Sequence, residues 1–254
     1  MSQPETHTLV LAACRAGKPY PIISAEYGVP RGTIGYWVHQ DRRSRGESAP
    51  PRPSACPRCD GTPLAHEAYS YLLGLYLGDG HIVSKPKQHH LSVTLDDAWP
   101  GIIDATETAM RTVMPAYRTG RAQRTGCTVV KSYSVHWTCL FPQHGPGLKS
   151  SRRIALQPWQ HQIVGAHPWA LLRGLIHSDG CRVTNWTVQR GKRYEYPRYL
   201  FTNKSDDIRQ IFCDALDAVG VAWRVTRRAG CAYNISVARR DSVALMDAQI
   251  GPKY

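Results

Sequence analysis

No stretch of this 254-residue sequence is apolar for the length a membrane-spanning helix needs, and no signal peptide opens it. The expectation is a cytoplasmic chain with reduced thiols and no membrane partner. Of the eight cysteines only Cys56 and Cys59 form a close pair, and no second C-x-x-C exists to complete a four-cysteine zinc site. Acids are missing over long stretches. None occurs between Glu107 and Asp179, where Arg111, Arg118, Arg121, Arg124, Lys131, Lys149, Arg152, Arg153 and Arg173 fall. A second acid-free run between Asp217 and Asp241 holds Arg224, Arg227, Arg228, Arg239 and Arg240. The net charge is +13 and the pI near 9.6, a balance that points to a polyanionic partner, most simply nucleic acid. Hydrophobic content of 42% supports a folded core, and the length suits one large or two modest domains.

Two stretches organise what is present. Leu72 to Gly80 reads LLGLYLGDG and Leu172 to Gly180 reads LRGLIHSDG, with the two acids 100 residues apart. Each predicts an apolar helix, buried on most sides, that ends in an acid and a glycine. Gly74 and Gly174 cost helix propensity but allow a second backbone to approach closely, so the two helices are expected to pack on each other through them. Gly80 and Gly180 fit the left-handed position just past a helix end. Asp79 and Asp179 then sit where the helix dipole disfavours a carboxylate. Side by side they would repel unless a divalent cation joined them. An ordinary core helix with an Asp-Gly turn explains one copy, but less readily two copies that share five positions.

Both stretches resemble the signature of the LAGLIDADG homing endonuclease family, as L-x-G-L-x-x-x-D-G. The resemblance implies an α+β fold, a pseudo-symmetric tandem of two αββαββα halves, with a DNA-binding saddle of strands and two acids at its base. It implies a site-specific, divalent-metal-dependent endonuclease for double-stranded DNA, acting as a monomer. By the same resemblance, Asp79 and Asp179 hold Mg²⁺ or Mn²⁺, and the carbonyls of Gly78 and Ser178 add ligands. Lys149 and Lys253 stand as the active-site lysines, and Asn203 as the polar second-strand residue that positions water. The first copy has Leu95 where the second has Asn203. A different class, a DNA-binding transcription regulator that keeps the fold without cleaving, is the alternative.

Ahead of the first half, residues 1–46 predict three helices, over His7–Ala16, Pro21–Tyr27 and Arg31–Arg43, with Gly28-Val29-Pro30 as a tight turn. The pattern resembles a helix-turn-helix of the resolvase or transposase type, with Arg31, Thr33, Tyr36 and His39 on the exposed side of the recognition helix. A small helical bundle for protein contact has the same pattern. Residues 47–65 read as a Pro-, Ser- and Gly-rich linker. Within it Cys56-Pro57-Arg58-Cys59 has the spacing of half a structural zinc site, against a turn with two free thiols. His66 could add a third ligand; Cys139, His136 and His144 are more distant candidates.

The halves are expected over 66–150 and 151–254. In the first, His81–Ser84 and His90–Leu95 read as strands, a helix runs from Asp97 or Pro100 to Met114, and Tyr117–Arg124 and Thr128–Leu140 read as two more strands. The last places Val129, Lys131, Tyr133, Val135 and Trp137 on an apolar face, opposite Ser132, Ser134, His136 and Thr138. In the second, a helix over Trp159–His167 precedes the signature helix. A strand over Arg198–Lys204, a helix capped by Asp206 or Asp207, strands over Ala222–Arg228 and Ala232–Arg239, and a helix over Asp241–Ala248 follow. Gly145-Pro146 with Lys149 and Gly251-Pro252 with Lys253 close the two halves alike, and duplication of a whole half is more specific than either signature. The expected DNA contacts on the strands are Arg118, Arg121, Arg124, His136, Lys204, Arg224 and Arg228.

Overall fold

The computed structural model describes residues 3–47, 55–85, 88–228 and 231–254, with the side chains of Gln3, Arg228, Cys231 and Ala232 left aside. It divides into two compact units, Met1–Pro53 and Ser54–Tyr254. The first holds α1 (Gln3–Arg15), α2 (Tyr20–Tyr27) and α3 (Arg31–Ser44) around Val10, Ile23, Val29 and Ile34. Gly28 ends α2 in the left-handed conformation (φ 66°), and the chain turns through Val29 and Pro30 into α3. Arg31 and Tyr36 are exposed on α3, Thr33 is half-buried, and Gln40 donates to the Tyr36 hydroxyl at 3.1 Å.

The second unit repeats one order of elements. The first half runs α4 (His66–Gly78), β1 (Gly80–Lys85), β2 (Gln88–Asp96), α5 (Pro100–Val113), β3 (Thr119–Arg124), β4 (Cys127–Ser132) and α6 (Trp137–Leu140). After a short 3-10 turn at Lys149–Ser151 and α7 (Pro158–Ala166), the second half runs α8 (Pro168–Asp179), β5 (Gly180–Gln189), β6 (Lys192–Thr202), α9 (Asp206–Ala218), β7 (Arg224–Arg228), β8 (Cys231–Val237) and α10 (Arg240–Gln249). The sheets are antiparallel and ordered alike, β1-β2-β4-β3 and β5-β6-β8-β7. The fold is α+β, a pseudo-symmetric tandem of αββαββα halves with a small helical module in front in sequence.

The helix pair at the centre follows from glycine. A Cβ on Gly74 would lie 2.5 Å from the Leu171 carbonyl oxygen and 2.7 Å from the Leu175 nitrogen, and one on Gly174 would strike the Tyr71 carbonyl oxygen. Each helix therefore rests on the other's backbone, and no side chain fits between. Leu72, Leu73, Leu75, Leu171, Leu172 and Leu175 complete a core that reaches both sheets through Leu91, Val93, Val130, Tyr199, Phe201 and Ile235.

Five expectations change. Gly80 and Gly180 are not left-handed: Gly180 is extended (φ −106°), and Gly80 does not have a positive φ. What demands glycine is the sharp return of each strand against its helix, since a Cβ on Gly180 would lie 2.7 Å from the Ile176 Cα and one on Gly80 would strike the Tyr76 Cα. The strand expected to reach Leu140 stops at Ser132. The His136 amide bonds to the Ser134 hydroxyl at 3.0 Å, which turns the chain, and Trp137 swings into the core with its indole N–H on the Ser132 carbonyl at 2.8 Å. On β4 the faces are also reversed. Val130 shares the core with Leu91 and Val93, while Lys131, opposite Ser92 and Gly120, is on the outer face. In the second half, one short strand becomes the long hairpin β5–β6, turned by Arg190 (φ 50°) and Gly191 (φ 75°). Finally, Ser205 rather than Asp206 or Asp207 caps α9, its hydroxyl accepting the Ile208 amide.

Candidate active site at the ends of the paired helices

Because α4 and α8 touch along their glycines, their C-terminal ends meet. A Cβ on Gly78 would strike Ser178 and lie 3.2 Å from the Asp179 carboxyl carbon. Asp79 caps α4 and Asp179 is the last residue of α8, so the signature places both acids at one floor from which β1 and β5 depart.

Two lysines converge on the same place. The Lys149 ammonium donates to the carbonyls of Tyr76 (2.5 Å), Leu77 (3.1 Å) and Gly78 (2.6 Å), the free carbonyls at the end of α4. Lys253 donates to the Ser178 carbonyl at 3.1 Å, at the end of α8. A cation there is favoured by the helix dipole, and each offsets the acid that the same dipole disfavours. The Gly78 and Ser178 carbonyls, expected to face a metal, thus accept from lysines.

The electrostatics follow from crowding. Desolvation, then the like charge of Asp179, push Asp79 up to about 6, although Lys149 and Lys253 pull the other way. Burial also raises Asp179, opposed first by Asn203, whose amide donates to its Oδ2 at 2.6 Å, and then by the two lysines. Asn203 is held by the Ser205 amide on its own Oδ1 (2.8 Å) and by its backbone N–H on the Tyr233 carbonyl (3.2 Å). Among the described residues no such amide reaches Asp79, and Leu95 at the matching register is in the core. Burial lowers Lys149 to about 8 and lowers Lys253, with the acids opposing both. The two carboxylates are a hard-oxygen pair suited to Mg²⁺ or Mn²⁺.

The strands carry the basic candidates unevenly. Arg124 is exposed on the same face of β3 as Gly120 and Ala122, opposite Cys127, and Arg118 is exposed just before it. Arg121 points to the other face, where it pairs with Asp104 (2.7 Å) and Glu107 (2.5 Å) of α5. His136 is off the sheet, between the sulfurs of Cys59 and Cys139. Lys204 and Arg224 are exposed, and Arg224 shares a concavity of about 370 Å³ with Arg198, Thr226, Ser236 and Arg239. The Arg228 side chain is outside the described residues.

Three features escaped the sequence reading. His81 follows Asp79-Gly80 directly, with the His144 ring 6.3 Å away, and burial and then Lys149 lower its pKa. Arg198 lines the basic concavity. On the β5–β6 hairpin, Arg193 stacks over exposed Trp186 (5.1 Å) and Lys192 over Tyr194 (5.6 Å). The Gly191 turn was the available signal, but with both faces of the hairpin exposed no apolar alternation marks its strands.

No family model and no curated protein matches the sequence. Solved structures match it in part and at low identity. I-DmoI in complex with DNA and Mn is 14% identical, over 74% of this chain and 98% of its own, with a TM-score of 0.49. I-WcaI bound to its DNA recognition sequence is 11% identical, over 74% and 82%, with a TM-score of 0.48. Full-length DUF199/WhiA from Thermatoga maritima is 11% identical, over 75% and 58%, with a TM-score of 0.45. No helix among the described residues is long and apolar enough to cross a membrane.

Proposed function

We propose that this protein is a site-specific endonuclease that hydrolyses phosphodiester bonds of double-stranded DNA with a divalent cation held by Asp79 and Asp179. The observation that carries the reading is the meeting of both acids, each beside a lysine, at the ends of helices in backbone contact. A bound Mg²⁺ or Mn²⁺ would supply Lewis acidity for the attacking water and the departing 3′ oxygen. Asp79 and Asp179 would hold it, Asn203 fixes the orientation of Asp179, and Lys149 and Lys253 hold positive charge beside the scissile phosphate. Arg118, Arg124, Lys204 and Arg224 hold the backbone of the duplex, and Arg31, Thr33 and Tyr36 of the helical unit reach a second stretch of it.

A regulator that binds DNA without cleaving is favoured by one observation: Lys149 and Lys253 already occupy the Gly78 and Ser178 carbonyls beside the acids. Incubation of a DNA library with the full chain and Mg²⁺ or Mn²⁺, beside Asp79→Asn and Asp179→Asn, separates them. Metal-dependent cuts lost in both variants support the nuclease. Specific binding without cuts supports the regulator, and cuts that survive both substitutions overturn the site.

A further inference from the structure

We infer that Cys56, Cys59, His136 and Cys139 form a closed, structural zinc site, separate from the acid pair and independent of the nuclease reading. Their ligand atoms all lie within 4.8 Å of one another. Cys59 Sγ is 3.6 Å from Cys139 Sγ and 3.5 Å from His136 Nδ1, and Cys139 Sγ is 3.8 Å from His136 Nδ1. These three distances match one face of a tetrahedron around zinc, with Cys56 as the fourth ligand within 4.8 Å: bonds of about 2.3 Å to sulfur and about 2.05 Å to nitrogen give edges of about 3.8 Å between sulfurs and about 3.6 Å between sulfur and nitrogen. A disulfide would need about 2.05 Å.

The local backbone is shaped for the same task. Cys56-Pro57-Arg58-Cys59 forms a tight knuckle in which the Cys56 carbonyl accepts from the amides of Cys59 (3.2 Å) and Asp60 (2.9 Å), and Asp60 Oδ2 accepts from the Cys56 amide (3.2 Å). His136 and Cys139 share a second turn, with the Cys139 amide on the His136 carbonyl at 3.0 Å. Three thiolates and one imidazole make a soft donor set that selects zinc over Mg²⁺, and four protein ligands leave no open position for catalysis.

The site joins segments 77 to 83 residues apart. It ties the chain just before α4 to α6, and α6 in turn supports α4: the Tyr69 hydroxyl donates to the Leu140 carbonyl at 2.6 Å, and Phe141 packs on Tyr69 and Tyr76. Zinc would fix the floor under the helix that carries Asp79 by closing a long loop of the unfolded chain.

The test is metal analysis of the reduced full chain. One equivalent of zinc that survives dialysis against Mg²⁺ is expected, as is a Co²⁺ derivative with thiolate-to-cobalt charge transfer and an intense tetrahedral ligand-field spectrum. Cys59→Ser and Cys139→Ser should lose that equivalent. His136→Cys should keep it, with a changed cobalt spectrum, and so remains informative if the serine variants fail to fold. The proposal is overturned if the reduced chain takes up neither Zn²⁺ nor Co²⁺, or if the cobalt spectrum is unchanged in His136→Cys.

Discussion

The Lys149 ammonium is 2.6 Å from the carbonyl oxygen of Gly78, and the same nitrogen takes the Tyr76 and Leu77 carbonyls while it attracts both acids. One side chain thus closes α4 and faces the candidate catalytic floor. Lys149→Ala is expected to leave those carbonyls without their cation, at a cost of about 1–3 kcal/mol, and to lower cleavage by about a hundredfold. Lys253→Ala, with the single bond to Ser178, should cost less stability. Thermal melts beside cleavage rates of both variants check this; equal losses of stability would contradict it.

Gly74→Ala and Gly174→Ala would each push a methyl group into a backbone, not into a side chain that could move. Each is expected to cost about 1–3 kcal/mol or more, which is roughly 2–4 °C of melting temperature per kcal/mol for a unit of this size. Gly165→Ala, at a helical glycine with open space around it, is the control and should not destabilise.

The raised pKa of Asp79 sets the sign of a pH effect. Folding raises its affinity for a proton, so without metal the acid loses stability for the fold as pH climbs from the ordinary carboxylate range through about 6. Asp79→Asn should therefore stabilise the metal-free protein above pH ~6, by on the order of 1 kcal/mol once solvent access is allowed for. For the same reason protons compete with the cation, and Mg²⁺ affinity should fall as pH drops through about 6. Calorimetric titration across that range measures it.

Asn203 orients Asp179, and Leu95 offers Asp79 nothing comparable. Asn203→Ala is expected to slow one strand cut by about tenfold to a hundredfold, so that nicked duplex accumulates. Strand-specific end labels would show it; equal slowing of both strands would contradict the assignment.

Arg124 and Arg121 are three residues apart on one strand but point to opposite faces. Arg124→Ala should reduce the salt dependence of DNA binding by roughly one phosphate contact. Arg121→Ala breaks pairs with Asp104 and Glu107 and should lower the melting point while leaving the salt slope unchanged. Binding isotherms at several salt concentrations separate the two.

The residue pattern carried the helix pair well. Leu-rich faces with a glycine at one repeated position admit few arrangements, and both acids, Lys149 and Lys253 meet at the expected floor. It carried the strands less well, because alternation gives a period without saying which phase faces the core. On β4 small buried Thr128 and Ser132 share the inner face with Val130, so counting apolar residues alone points to the wrong phase. The reach of Lys149 to three carbonyls and the meeting of His136 and Cys139 with the cysteine pair depend on turns after β4 that local patterns do not determine.

The β5–β6 hairpin differs from its counterpart in one further respect. β5 has ten residues where β1 has six, a difference of about 13 Å at the rise of an extended chain. Laid along a duplex that advances about 3.4 Å per base pair, this is about four more base pairs. Under the proposed function, a DNA target read by these two arms would be lopsided, with a short flank under the first half and a long one under the second, and its sequence would be no palindrome despite the near-symmetry of the two halves.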